Sequence, residues 1–295
     1  MLDIIKYRYV TFIVSGVLFV TSIVLLFVYG LNYGIDFTGG TLAEYHFPNG
    51  RPDVAVIEQI VKDAGVAETE VQPAGEQDYL VRMPYLEEAT HQKIRENMTA
   101  SQPGVEEKRF ESIGPVIGQE LKQKAIVAII LVNFGIIGFI AYAFRKVSRP
   151  VASWKYGLAA IIALMHDVTI VTGVFAFLGK FYNVQVDTLF VTALLTVLGY
   201  SVMDTIVTFD RIRENLARGS DDTFGKTITH SVNQVFVRSL NTSVTVFLVL
   251  LALYLFGGSS IHSFVLALII GVAIGTYSSL FVASPLLYLF NRRNN

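Results

Sequence analysis

Asp204 stands inside an apolar run, Leu189 to Phe209, that closes on Asp210, Arg211, Arg213 and Glu214. It precedes Arg211 by seven residues, which on a helix places it roughly 10 Å inside the level of that arginine. An ionised carboxylate there costs about 2.5 to 3.5 kcal/mol on insertion scales. Such a group faces a partner or a wet path, and the chemistry it offers is proton uptake and release. The same run has a polar residue at every fourth position: Thr188, Thr192, Thr196, Tyr200, Asp204 and Thr208. Successive members of the row touch, drifting by about 40° per step. The row reads as a seam of hydroxyls leading to the carboxylate, or as threonines satisfied by their own backbone and packed on neighbouring helices.

Two further constellations lie in apolar surroundings. Arg238, Asn241, Thr242 and Thr245 fall at i, i+3, i+4 and i+7, one face of a helix. Arg238 reads either as an anchor at the membrane boundary or as the partner of Asp204, keeping that carboxylate ionised until a proton or a rearrangement separates them. His166 and Asp167 are adjacent, and Asp167 lies twelve residues past Lys155, about 18 Å along a helix and near mid-membrane. Adjacent helical residues point about 100° apart, so the two need not share a partner. His166 suits a polar contact in the bundle; Asp167 suits a structural hydrogen bond or a relay. A row of small residues, Ala267, Gly271, Gly275, Ser279 and Ala283, allows close helix approach and suggests packing rather than chemistry.

The elements that must position these groups are membrane spans. The chain is 53% hydrophobic and 16% charged, which excludes an ordinary soluble domain. Six apolar runs reach the roughly 20 residues a bilayer core requires: Tyr9 to Tyr29, Ala125 to Phe144, Trp154 to Leu178, Thr188 to Phe209, Ser239 to Phe256 and Ser263 to Phe290. The first exceeds a signal-peptide core and has no small-residue cleavage site after it, so an uncleaved anchor is expected. There are no cysteines, which removes disulfides, thiolate metal sites and cysteine nucleophiles. No GxxxxGK[ST] motif occurs, so ATP hydrolysis by a P-loop is not expected. Neither cofactor nor enzymatic activity is expected. Lys6 and Arg8, then Arg145, Lys146 and Arg149, then Arg211, Arg213, Arg218, Lys226 and Arg238, then Arg292 and Arg293 all fall on one side of six spans. The positive-inside rule makes that side, and both termini, cytoplasmic.

Three stretches follow: 1–33 with the first span, 34–122 as an acid-rich extracytoplasmic domain, and 123–295 as five spans with a cytoplasmic loop at 210–238. In the domain the pattern predicts a strand at Thr41 to Phe47, a helix from Pro52 to about Gly65, a hairpin around Gly75, a helix from Leu86 to Met98 and a strand from Glu106 to Ile113. The order βαββαβ is that of a small ferredoxin-like α+β unit, suited to binding or docking. His46 and His91 are far apart in sequence and read as surface residues rather than metal ligands. Gly219 to Asp222 is expected to break the fourth span's extension. Phe224 to Phe236 is then expected to lie as an amphipathic helix along the interface, with Val232, Val235 and Phe236 in lipid and Lys226 and Asn233 more exposed.

The chain resembles the SecF family, subunits of the bacterial protein-export accessory complex SecDF, within the RND superfamily. The resemblance runs nearly end to end. It rests on Gly34-Ile-Asp-Phe-Thr-Gly-Gly40, His166-Asp-Val168, Gly199-Tyr-Ser-Val-Met-Asp204, Asp210-Arg-Ile-Arg-Glu-Asn215, Arg238 with Thr242 and Ser243, and Tyr254-Leu-Phe-Gly-Gly258. It implies an RND-type half-bundle in the bacterial inner membrane, paired with a six-span partner, SecD. It also implies that proton flow moves the extracytoplasmic domains, drawing an exported unfolded polypeptide from the SecYEG channel after SecA has pushed it in. YajC, YidC and membrane lipids are further expected associates; nucleic acid is not. The family's functional aspartate falls on Asp204 and its membrane arginine on Arg238, with Asp167, His166, Tyr200 and Thr242 as further candidates for the proton relay. A further family aspartate and most of the substrate-handling head belong to SecD. With its start so near the first span, the chain reads as a separate subunit or an excised half. A proton-driven RND-like exporter of small molecules or lipids, and a scaffold without a proton path, are the competing classes.

Overall fold

A computed structural model describes residues 3–144, 151–219 and 223–291. The chain divides into two compact units, residues 33–126 and residues 1–32 with 127–295. In chain order the elements are α1 (Arg8–Tyr29), α2 (Ile35–Thr38), β1 (Gly40–His46), α3 (Val54–Asp63), β2 (Glu70–Ala74), β3 (Asp78–Met83), α4 (Glu88–Ser101), β4 (Glu106–Ile113), α5 (Pro115–Ala143), α6 (Ser153–Tyr182), α7 (Thr188–Arg218), α8 (Phe224–Phe256), α9 (His262–Ser278) and α10 (Ser284–Asn291). A π-turn, Ser279–Ala283, joins α9 to α10.

The smaller unit is the expected ferredoxin-like fold. Its antiparallel sheet has the order β2-β3-β1-β4. Alternation along β1 and β3 turns Ala43, Tyr45, Val81 and Met83 to one face, where Ile57, Ile60 and Val61 of α3 and Ile94 and Met98 of α4 cover them. Asp53 caps α3 by accepting from Ala55 N, satisfying one of the free amides of the first turn. The paired glycines at the start of β1 are structural: Gly39 has φ 75°, and a Cβ on it would meet Pro115 Cα at 2.7 Å. His46 and His91 are not simple surface residues. His46 Nδ1 lies 2.5 Å from Asp78 Oδ1, and His91 is buried, stacked on Phe110 and 3.0 Å from Glu107 Oε2.

Six helical segments among the described residues are long and apolar enough to cross a membrane; five lie wholly within the larger unit, and α5 begins in the smaller one. The chain is a multi-pass membrane protein. Close approach follows the glycines. A Cβ on Gly173 of α6 would meet Ser22 Cβ of α1 at 2.3 Å, and one on Gly271 of α9 would meet Val197 Cγ2 of α7 at 2.2 Å. The core brings Ile4 and Ile5 together with Phe144, Tyr156, Leu198, Phe209, Ile212, Val232 and Leu287.

Two expectations need correction. Residues 210–238 are not a loop: α7 continues to Arg218, and α8 starts at Phe224. Nor is Phe224 to Phe236 a separate interfacial helix; it is the first part of α8, a single helix of 33 residues. Ile228, Val232 and Val235 are buried in the core rather than turned to lipid. No proline interrupts the stretch, and its buried face continues that of the spanning segment, so nothing breaks the backbone hydrogen bonding. The expected break from Gly219 to Asp222 starts where α7 ends, at a left-handed Gly219 (φ 61°); Ser220 to Asp222, and Arg145, Lys146, Arg149, Arg292 and Arg293, lie outside the described residues.

Candidate proton-binding site

Asp204 projects from α7 toward α8 and the π-turn. Ser239 of α8 donates to its Oδ1 (2.5 Å), and Ser279 of the π-turn donates to its Oδ2. Both oxygens of a half-buried carboxylate are therefore held by neutral hydroxyls. Arg238 does not pair with it: among the described residues no ion pair joins the two, and Arg238 is exposed. The reason is angular. Ser239 follows Arg238 by one residue, so when the serine faces Asp204 the arginine points about 100° away. Arg238 instead lines a cleft of about 440 Å³ with Asp210, Arg211, Arg213, Glu214 and Gln234. Ile206 and Val207, less than a turn from Asp204, also line it.

The second carboxylate is fully buried. Asp167 of α6 accepts from Ser201 of α7 (2.6 Å) and Ser278 of α9 (2.8 Å), both on Oδ2. His166 Nδ1 lies 3.0 Å from Oδ1, so the adjacent pair does meet despite the angle between the two residues. Among the described residues His166 Nε2 is buried without a hydrogen-bond partner, and Phe19 of α1 stacks on the ring. A proton on Nδ1 leaves only a lone pair at that dry nitrogen, which costs less than a stranded N–H.

The polar row on α7 divides. Thr192, Thr196 and Thr208 donate to the carbonyls of Thr188, Thr192 and Asp204, four residues back. These threonines satisfy themselves and do not form a continuous hydroxyl path. Tyr200 leaves the row and shares a hydrogen bond with Ser243 of α8 (2.8 Å), which in turn bonds Thr276 of α9 (2.6 Å). Thr242 donates to the Arg238 carbonyl and is exposed, as are Asn241 and Thr245. Thr192 and Thr196 are exposed as well. The flank of α7 and α8 is thus a polar surface that this chain leaves uncovered.

Sequence reasoning missed the four serines that hold the carboxylates: Ser201, Ser239, Ser278 and Ser279. A signal existed for one. Ser279 belongs to the small-residue row that faces α7 through Gly271 and Gly275, so it had to lie near the helix that carries Asp204.

With this geometry established, comparison with known proteins gives a consistent result. The family profile described as protein export membrane protein SecD/SecF, C-terminal, matches residues 93–293. The SecD/SecF GG motif matches residues 24–47, which include Gly39 and Gly40. The protein translocase subunit SecF of Thermobaculum terrenum is 44% identical, over 100% of this chain and 95% of that protein. The SecF of Anaerolinea thermophila is 37% identical, over 98% and 94%. The crystal structure of SecDF from Thermus thermophilus superposes with a TM-score of 0.85 at 31% identity, over 100% of this chain but only 39% of that longer chain. A SecDF structure described as a super-membrane-facing form gives 0.68 at 33% identity, over 97% and 38%. The chain belongs to the SecF family of protein translocase subunits.

Proposed function

We propose that this chain works with a SecD subunit to couple proton flow to late-stage polypeptide export through the SecYEG channel, with Asp204 taking up and releasing the proton. The observation that carries the reading is the setting of Asp204. An ionisable group within an apolar helix is held by neutral hydroxyls and lies beside a polar flank open on the same helices. Its threonines are satisfied by their own backbone, but exposed Arg238 and Asn241 are ill suited to lipid, and a second six-span subunit would cover them. SecD suits this role because the solved SecDF is a chain more than twice the length matched here. Arg238 biases the charge state of the site once the partner is in place, and Tyr200 and Thr242 line the shared face. Asp167 and His166 form a second buried pair behind it. The lysine and arginine distribution favours cytoplasmic termini, and likeness to SecF proteins supports the inner membrane as the location. YajC, YidC and lipids belong to the same reading as associates.

Asp204→Asn keeps shape and hydrogen bonding but cannot ionise. In vesicles carrying the full translocase, it should assemble at normal levels and abolish proton-dependent stimulation of export. Export driven by SecA and ATP should persist at its basal level. Wild-type proton flux and export in this variant would refute the relay role.

A further inference from the structure

Ser278 and Ser279 are consecutive residues where α9 passes into the π-turn, and they serve different carboxylates on different helices. Ser278 reaches Asp167 on α6 (2.8 Å), and Ser279 reaches Asp204 on α7. Neighbouring helical residues diverge by about 100°, so a helix wedged between α6 and α7 can present one serine to each. Both serines also lie within reach of a second acceptor. Ser278 Oγ is 3.2 Å from the Gly275 carbonyl, and Ser279 Oγ is 3.0 Å from the Thr276 carbonyl. A hydroxyl has one hydrogen and two lone pairs, so the two acceptors are alternatives. Neither Ser201 nor Ser239, the other hydroxyls on these carboxylates, shows such an alternative among the described residues.

We infer that Asp167 is a second proton-binding carboxylate, and that Ser278 and Ser279 are positioning residues that hold Asp167 and Asp204 in both their ionised and neutral forms. The inference rests on the proton reading of Asp204 and extends it. When a carboxylate is ionised, its serine donates to it. When the carboxylate gains a proton, the new O–H donates to the serine oxygen, and the serine hydrogen turns to the carbonyl three residues back. One proton is added, and it stays on the carboxyl; the serine neither gains nor loses one. No buried polar atom at this contact is stranded in either state, so neither form bears the cost of an unmade hydrogen bond.

The π-turn makes room for this exchange. Widened turns of this kind are rare and recur at functional sites. Here Ser284 Oγ donates to the Ser279 carbonyl 3.2 Å away, five residues back, and so satisfies an acceptor that the wider turn affects. Few other titratable groups surround the pair. His166 adjoins Asp167 on α6, and Tyr200 shares α7 with Asp204. From α8 comes Arg238, at the cleft. From α9 comes Tyr277, whose hydroxyl is taken up by Ser15 and the Thr11 carbonyl of α1. The mid-portion of α1 carries no charged residue.

The test is pH-difference infrared spectroscopy of the carboxyl band in the assembled complex in lipid vesicles, with Asp167→Asn and Asp204→Asn assigning the signals. Both carboxyls should titrate. Both forms are hydrogen-bonded, but the bond to the ionised form is the stronger, so Ser278→Ala should move the Asp167 titration by about one pH unit, a tenfold change in proton affinity, and leave that of Asp204 in place. Ser279→Ala should do the reverse. Loss of a purely structural contact would change stability without this separation. Should alanine prevent folding, Ser278→Cys and Ser279→Cys carry the test, since a thiol is near in size and a weak donor. An Asp167 signal absent at every pH where the assembly is folded, with Asp204-dependent export intact, overturns this inference alone, as does failure of the serine variants to shift either titration. Wild-type export in Asp204→Asn overturns the proton reading and this inference with it.

Discussion

In the sheet unit, Asp78 is 2.8 Å from Lys108 Nζ and 2.5 Å from His46 Nδ1, and Glu107 is met by His91. In the helical unit, Asp204 meets two serines, and Asp167 meets two serines and one imidazole. The groups are alike; the partners differ. A lysine fixes its partner's charge, because it can only donate. A hydroxyl donates or accepts, so it tolerates a carboxylate in either state. The sheet unit thus gives Asp78 a partner that can only donate, whereas the bundle surrounds its two carboxylates mainly with hydroxyls that can do either.

The comparison can be broken first at Asp167. Asp167→Leu removes the acceptor for Ser201 and His166 in a buried site, where each stranded donor costs about 1–3 kcal/mol, while Ser278 can turn to the Gly275 carbonyl. The assembly should lose several kcal/mol in detergent unfolding, and Asp167→Asn should lose clearly less. Equal losses would mean that side-chain volume, not hydrogen bonding, secures the site. Gly271→Ala comes next. Its methyl group would press on Val197, and overpacking of this kind costs about 1–3 kcal/mol. Thermal unfolding of the purified complex reads the effect, and an unchanged transition would show that α7 and α9 can part freely.

The smallest effect is expected at Asp78. Burial alone would raise its pKa, but hydrogen bonds from Lys108 and His46, with their charges, hold it below the usual carboxylate range. A depressed native value means that the stabilisation is complete above the unfolded pKa of about 3.9. It is lost as pH falls through the lower native value. Asp78→Asn should cost roughly 1 kcal/mol at neutral pH, since Lys108 is partly exposed and screened. It should also flatten the acid dependence of amide exchange in β3. Acid dependence as steep as wild type would move the responsible charge elsewhere.

Much of this was legible in the sequence. The six spans and the βαββαβ order follow from hydrophobic runs and alternation, which tertiary packing did not override. Asp204 stood out because a carboxylate in an apolar run is costly. Its partners did not stand out. A serine in a helix bonds its own backbone by default, so Ser239 carried no visible mark and Ser279 only its place in the small-residue row. The pairing of Asp204 with Arg238 was a reasonable expectation that failed by one residue of helical phase. The π-turn was hidden because local packing, not composition, sets where a helix widens. The continuity of α8 was obscured by its polar residues, although helices are broken by backbone chemistry and not by charge.

The length of α8 has a mechanical consequence. At 1.5 Å per residue it is a rod of roughly 50 Å, and Ser239, its contact with Asp204, sits near the midpoint. The contact is thus placed like a fulcrum, about 23 Å from one end and about 26 Å from the other. A tilt of about 10° about that point would carry the two ends about 4 Å in opposite directions. Rotation about that point would move both ends of the same helix while the contact itself stays in place.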